Sequence, residues 1–107
     1  MSRRPTSIDA FHAVSDPTRR QLLDRLSCRI STVNELSAGF AVSRPAISKH
    51  LGVLLRARLV SASKQGRLRY YKVEPARLRD IDTWVEGYRR FWAENLSGLK
   101  AYLEAPK

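Results

Sequence analysis

The chain has a single cysteine, Cys28, in 107 residues. An intramolecular disulfide is thereby excluded, and a reducing compartment is the natural expectation. No apolar run approaches the ~20 residues of a membrane span, and the N-terminus lacks the apolar core of a secretory leader. A cytoplasmic protein without membrane contact is therefore expected. A glycine-rich phosphate loop is missing too, and two histidines with one thiol assemble into no Ser/His/Asp or Cys/His arrangement. A chain of this length makes one domain, here 1–107, with too little core for a deep cleft and its scaffold. These absences count against an enzyme.

The sharpest absence is of negative charge in the middle of the chain. Net charge is +10, and residues 36–73 hold eight cations (Arg44, Lys49, Arg56, Arg58, Lys64, Arg67, Arg69 and Lys72) and no acid. By contrast residues 1–35 hold six cations against four acids, and residues 75–107 six against five. A block of one sign confined to about one third of a domain points to a face that binds a polyanion. Its cations are interleaved with apolar residues at regular spacing, which is not the pattern of a disordered basic tail.

Within that block, residues 43–55 read as a helix. Ser43 can cap it, and Pro45 in the first turn loses no helical hydrogen bond. Ile47, Leu51, Leu54 and Leu55 recur at helical spacing as one buried stripe. Arg44, Ser48, Lys49 and Gly52 are left outside, a face of donors and small residues that suits a DNA major groove. Alone, such a helix is also consistent with a solvated basic face. Its surroundings argue for the groove.

Ahead of it, a short helix over 7–14 presents Ile8, Phe11 and Val14. Asp16-Pro17 opens a second helix over 17–29, with Leu22, Leu23, Leu26 and Ile30 as its core stripe. Thr32 and Glu35 make a capping box on a third over 32–38, with Val33 and Leu36 inward. Gly39-Phe40-Ala41 is the turn into the basic helix, and two short helices so joined make a helix-turn-helix. Residues 59–73 then read as a hairpin around Gly66, which supplies φ > 0. A plain hairpin accounts for Val60, Tyr71 and Val73 but not for the basic tip. A wing does, laying Lys64, Arg67 and Arg69 against phosphates or in the minor groove.

The last element is a helix over 75–104, with Leu78, Ile81, Val85, Tyr88, Trp92, Leu96, Leu99 and Leu103 in alternating three- and four-residue steps. Trp84 and Phe91 widen this stripe. At ~30 residues it spans ~45 Å, more than the elements before it can cover, so a homodimer is expected. Its seam on this helix would comprise Trp84, Val85, Tyr88, Phe91, Trp92, Leu96 and Leu99. The fold class is mainly α with a small β-hairpin, a winged helix-turn-helix.

The sequence resembles the ArsR/SmtB-type winged-helix transcriptional repressors of bacteria. The carriers are Asp16-Pro17-Thr18-Arg19-Arg20-Gln21-Leu22-Leu23, Val33-Asn34-Glu35-Leu36, Ser43-Arg44-Pro45-Ala46-Ile47-Ser48-Lys49-His50-Leu51, and Leu59-Val60 leading to Gly66-Arg67 and Tyr70-Tyr71. They run in order and at the right spacing over residues 8–75, and the long aromatic last helix looks like the branch containing Sdp-type autorepressors. The resemblance implies a homodimeric repressor on double-stranded DNA, dimerising through its first helix, with Ile8 and Phe11, and its last, with recognition helices one turn (~34 Å) or a multiple apart on an inverted repeat. It places Arg44, Pro45, Ala46, Ser48, Lys49 and His50 of the helix, and Lys64, Arg67 and Arg69 of the wing, at the DNA. Arg44 is the first candidate for base readout, and self-regulation is implied by the resemblance alone.

The departures from the family matter as much. Its metal-sensing members carry a cysteine pair before the recognition helix, or histidine and carboxylate ligands on the last helix. Here 32–38 has neither Cys nor His. The last helix has Asp80, Asp82, Glu86 and Glu94 without a nitrogen or sulfur donor, which soft metals need. No metal and no cofactor is expected, and those carboxylates read as solvated partners of Arg77, Arg79, Arg89 and Arg90. Cys28 reads as a small buried residue, with an intersubunit or modified thiol left open. His50 either approaches a phosphate or braces its helix, and His12 belongs to the surface or the seam. Two other classes stay open: a sequence-indifferent architectural DNA binder, and a winged-helix module whose last helix docks another protein. The residues name no inducer.

Overall fold

Five helices and a hairpin follow in the order α1 (Ala10–Ala13), α2 (Pro17–Cys28), α3 (Val33–Ser37), α4 (Arg44–Arg56), β1 (Val60–Gln65), β2 (Leu68–Val73) and α5 (Leu78–Glu104), with a 3-10 turn at Pro75–Arg77 leading into the last. They belong to a computed structural model that describes residues 9–104. The early helix starts have chemical causes. Asp9 accepts from the His12 N–H at 2.8 Å, Asp16 from that of Arg19 at 3.0 Å, and Ser43 from that of Ala46 at 3.3 Å. Thr32 and Glu35 each accept the other's backbone N–H, closing the capping box. The Asp9 cap starts α1 at Ala10, later than the expected 7. Ser7 and Ile8 lie outside the described residues.

One stripe from each helix makes the core. Leu22, Leu23 and Leu26 of α2, Leu36 of α3, and Ile47, Leu51 and Leu54 of α4 meet Leu59, Val60 and Tyr71 from the hairpin. Ala10 and Ala13 seal one end. Each fully buried leucine contributes ~1.5–3 kcal/mol relative to leaving it in water. Val14, Val33, Leu55 and Val73 sit half-buried around this cluster. Among the described residues no buried side-chain nitrogen or oxygen lacks a hydrogen-bond partner.

Two expectations for the end of α2 fail. Ile30 is 52% exposed, outside the stripe it was assigned to, and Cys28 is exposed rather than buried. The helix stops at Cys28, and Arg29 is extended with φ −168° and ψ 150°. The 3.6-residue period therefore ends before it reaches Ile30. Cys28 lies two positions past Leu26, ~200° around the helix axis and so on the outer side. The extended backbone serves a different purpose. Ser31 exchanges both backbone hydrogen bonds with Tyr71, at 3.1 and 2.8 Å, adding a one-residue third strand beside β2.

The hairpin pairs Val60 with Val73, Ala62 with Tyr71, and Lys64 with Arg69. Its two-residue loop is Gly66-Arg67, with φ positive at Gly66 (64°) and not at Arg67, the φ pattern of a type II′ turn. At its base the Glu74 N–H donates to the Leu59 carbonyl at 2.7 Å.

Helix α4 ends in a Schellman motif with an unusual residue. The Leu59 N–H donates to the Leu54 carbonyl and the Arg58 N–H to that of Leu55, both at 3.0 Å. The left-handed position falls on Arg58, φ 63°, where a Cβ is strained and glycine is the common occupant. Arg58→Gly should therefore stabilise the fold by ~0.5–1 kcal/mol, the relief of Cβ strain less the extra entropy glycine loses. Urea denaturation reads this as a higher midpoint at unchanged slope. A lower midpoint would mean that the Arg58 side chain holds the motif itself.

Candidate nucleic-acid interface

The exposed side of α4 is built by what its other side buries. With Ile47, Leu51 and Leu54 inward, Arg44, Pro45, Ser48 and Lys49 are exposed, and Ala46 and Gly52 half-buried. Gly52 is not demanded by internal packing: a Cβ there would meet only the Arg56 guanidinium, at an ordinary 3.8 Å. A glycine inside a helix costs ~0.5–1 kcal/mol relative to alanine, and nothing among the described residues explains it here. Arg44 donates through Nη1 to Asn34 Oδ1 of α3, which ties the candidate base reader to the preceding helix.

The wing adds cations on a defined side. Residues paired across strands point to the same face, and alternate residues share it. Lys64 and Arg69 therefore continue the face of Ala62 and Tyr71, overhanging the core on the side of the helices. The Arg69 guanidinium lies 5.5 Å from the centre of the Tyr71 ring. Two cations directly opposite each other cost a few tenths of a kcal/mol to ~1 kcal/mol in a free hairpin. Arg67 joins them at the exposed tip.

The acids that border this face are held in other contacts. Glu35 closes the α3 cap, and Glu74 accepts from the Ser61 hydroxyl at 2.6 Å with the Lys72 ammonium 3.9 Å away. Asp16 caps α2 and lies 3.9 Å from His50 Nδ1. His50 thus faces α2, half-buried, with Arg19 Nη1 at 3.3 Å. Through Nδ1 the ring is placed as the brace, one of its two expected roles, would have it.

The turn before α4 has a clamp that the sequence reading did not anticipate. Arg25 donates to the Gly39 carbonyl at 3.2 Å and stacks 4.9 Å from the Phe40 ring centre. Its partners come from a different element, so no local spacing betrays it. Nor did a pattern announce Asn34 beside Arg44.

The expected seam residues share one surface. Phe11 meets Trp84 edge-on at 5.7 Å between ring centres, Trp84 meets Tyr88 at 5.3 Å, and Tyr88 meets Trp92 at 6.2 Å. Phe11, Trp84, Tyr88, Phe91, Trp92, Leu96 and Leu99 are exposed, Val85 is half-buried, and Ile8 lies outside the described residues. Tyr102, left out of the expected seam, is 78% exposed near the helix end. Of the arginines expected to partner the α5 carboxylates, Arg89 does so, reaching Asp82 at 2.8 Å and Glu86 at 2.7 Å. Among the described residues no group of three or more His, Cys, Asp or Glu could hold a metal ion, and no helix is long and apolar enough to cross a membrane.

A family model described as "Bacterial regulatory protein, arsR family" matches residues 16–62, the span from the Asp16 cap to β1. The HTH-type transcriptional regulator Rv2034 of Mycobacterium tuberculosis is 38% identical over 96 residues, covering 90% of this chain and 87% of that one. The transcriptional repressor SdpR of Bacillus subtilis is 36% identical over 77 residues, 72% of this chain and 86% of its own. The chain belongs to the arsR family of bacterial regulatory proteins. The ArsR-like transcriptional regulator from Rhodococcus sp. RHA1 superposes with a TM-score of 0.70 at 32% identity, covering 91% of this chain and 89% of that chain. This arsR-family chain is therefore a DNA-binding transcriptional regulator with a winged helix-turn-helix fold. The relatives that it matches are named as regulators or repressors of transcription.

In this arsR-family member the Asp16 carboxylate joins cap to brace, and its protonation is shifted accordingly. The hydrogen bond it accepts from the Arg19 N–H, then the nearby His50 and Arg19 charges, lower its pKa against an opposing effect of burial. A carboxylate lowered in the native state stabilises it fully above the unfolded value of about 4, and that contribution is lost as pH falls through the native value. Asp16→Ala should cost ~1 kcal/mol at neutral pH, as lost N-caps do, and progressively less in acid. Denaturation of both proteins across pH 2–7 checks this; a constant difference would deny Asp16 the role.

Proposed function

We propose that this protein is a homodimeric repressor that reads an inverted-repeat operator, with α4 in successive major grooves and the wings on the flanking backbone. One observation carries the reading. The stretch without acids folds into two adjoining elements whose outward positions are donors, small residues and cations. Arg44, Ser48 and Lys49 suit base edges and neighbouring phosphates, Pro45 and Ala46 allow close approach, and Lys64, Arg67 and Arg69 suit the backbone. His50 acts as a brace. The unexplained Gly52 fits a helix on which a ligand lies close. Control of its own gene, a cytoplasmic location and freedom from a metal cofactor complete the proposal.

The dimer is supported by the uncovered half of α5. Its 27 residues run ~40 Å. None of them is buried, and Trp84, Phe91, Trp92, Leu96, Leu99 and Leu103 are all more than half exposed. The chain's radius of gyration is 19.1 Å, against ~13 Å for a compact domain of this length. A second copy packed along this face supplies a partner for these apolar side chains.

Two measurements test the proposal. Fluorescence anisotropy on DNA from upstream of the protein's own gene, with random duplex as competitor at physiological salt, should show competitor-resistant binding that ignores chelator. Arg44→Ala should cost ~1–3 kcal/mol and relax preference at one operator position. Uniform weakening on all sequences would make Arg44 a phosphate contact, and wild-type binding lost to random duplex would favour an architectural role. Sedimentation should give twice the chain mass of 12.2 kDa, and Leu96→Asp with Leu99→Asp should return it to a monomer with undiminished helix content. A wild-type monomer would sink the dimer.

A further inference from the structure

One guanidinium stands where the seam side of the fold meets the reading helix. Arg19 donates through Nε to the Ala13 carbonyl at 2.7 Å and through Nη2 to the His12 carbonyl at 3.2 Å. Its Nη1 lies 3.3 Å from His50 Nδ1 on α4, and its backbone N–H donates to Asp16, the carboxylate that also approaches His50. Arg20 adds a 2.7 Å hydrogen bond to the Val14 carbonyl. Two arginines of α2 therefore hold the carbonyls of Ala13 and of the cap residue Val14, and Arg19 adds a donor to the His12 carbonyl, which also accepts from the Ser15 N–H at 3.1 Å and hydroxyl at 2.6 Å.

Helix α1 is only four residues long and cannot hold its shape alone. It is fixed between these guanidiniums on one side and the edge of Trp84 against Phe11 on the other. Contacts thus run without a gap from α5 through α1 and Arg19 to α4. The apolar stripe of Ile47, Leu51 and Leu54 keeps α4 against the core, but apolar contact is non-directional and tolerates sliding and rotation. Hydrogen bonds are directional. The Arg19–His50 contact is the polar one that relates α4 to the short helix beside the seam.

We infer that Arg19 is a positioning residue that sets the orientation of α4 relative to the α1–α5 seam, and thereby the half-site spacing that the dimer accepts on duplex DNA. This rests on the reading of the protein as a dimer on an inverted repeat. In such a dimer each base pair inserted between half-sites shifts them by ~3.4 Å and turns them by ~34–36°. A rigid link discriminates between neighbouring spacings, whereas a loose one averages over them.

The test uses the full-length protein and duplexes carrying two copies of its operator half-site, with the spacing varied one base pair at a time, beside a duplex with one half-site. Wild type should prefer one spacing over its neighbours by about tenfold, within the usual range of coupling between linked sites. Arg19→Gln should reduce that preference to about twofold while single-half-site affinity and base preference change by no more than about twofold, because Arg19 itself touches no DNA. Arg19→Lys, with one donor head in place of the fork, should fall between. His50→Leu breaks the same contact from α4 and keeps the idea testable should Arg19→Gln not fold. It should flatten the profile likewise, and the double variant should be no flatter than either single change. Equal loss at every spacing, an unaltered profile in both variants, or additive flattening would overturn the inference. A wild-type protein with no preference for paired half-sites would instead overturn the dimeric reading on which it rests.

Discussion

Leu51, wholly buried between Ile47 and Leu54, anchors the constraint on which the rest depends. A helix of thirteen residues is marginal by itself in water. It can leave one face unoccupied only because the opposite face is inserted in the core. The stripes of α2 and α3 and the hairpin residues Leu59 and Val60 all converge on that insertion. The outward row is then free to be chosen for donors and small size. The arrangement explains why a small core suffices, since it has one helix to hold in place.

Charge is arranged around the same helix. The acids nearest the interface are used as fasteners: Asp16 and Glu35 as helix caps, Glu74 on the Ser61 hydroxyl at the hairpin base. Each is thereby turned to a local donor, and the eight cations of residues 36–73 keep a field of one sign. Opposed cations such as Lys64 and Arg69 are tolerable in a hairpin whose base is secured by Tyr71, doubly bonded to Ser31. In the proposed complex phosphates relieve this repulsion, which links the fold's stability and its affinity for a polyanion through the same side chains.

Legibility in the sequence followed the range of the interaction. The capping residues Asp16, Thr32 with Glu35, and Ser43 act over three positions, and their helices begin where those signals stand. Gly66 announced its turn, and the stripe on α4 was readable down to Leu54. What escaped depended on partners remote in the chain. Ser31 is a strand only because Tyr71 comes to it, and Ile30 leaves the core because the backbone has already changed period. Arg19 and Asn34 stand within the motifs that carry the resemblance, but neither they nor Arg25 have a local pattern that names their targets, which lie on other parts of the fold. His50 was legible as one of two possibilities, and its distance to Arg19 and Asp16 supports the brace. The exposed Cys28 is a simpler failure, since its composition suggested burial but its angle on α2 did not allow it.

The two apolar faces of the molecule differ in a way that bears on how it can respond. The core stripe is short, dense and complete within the chain. The α5 stripe is long, aromatic and uncovered, with Phe11 closing onto it at Trp84 and little else of the chain following. A response that altered how the α5 faces pack need not disturb the core to be felt at α4. The route would run through α1, whose four residues are held by aromatic contact on one side and by arginine hydrogen bonds on the other. Short helices with borrowed capping have little stability of their own. That property makes α1 the element whose position is most readily reset, and it lies between the uncovered α5 face and α4.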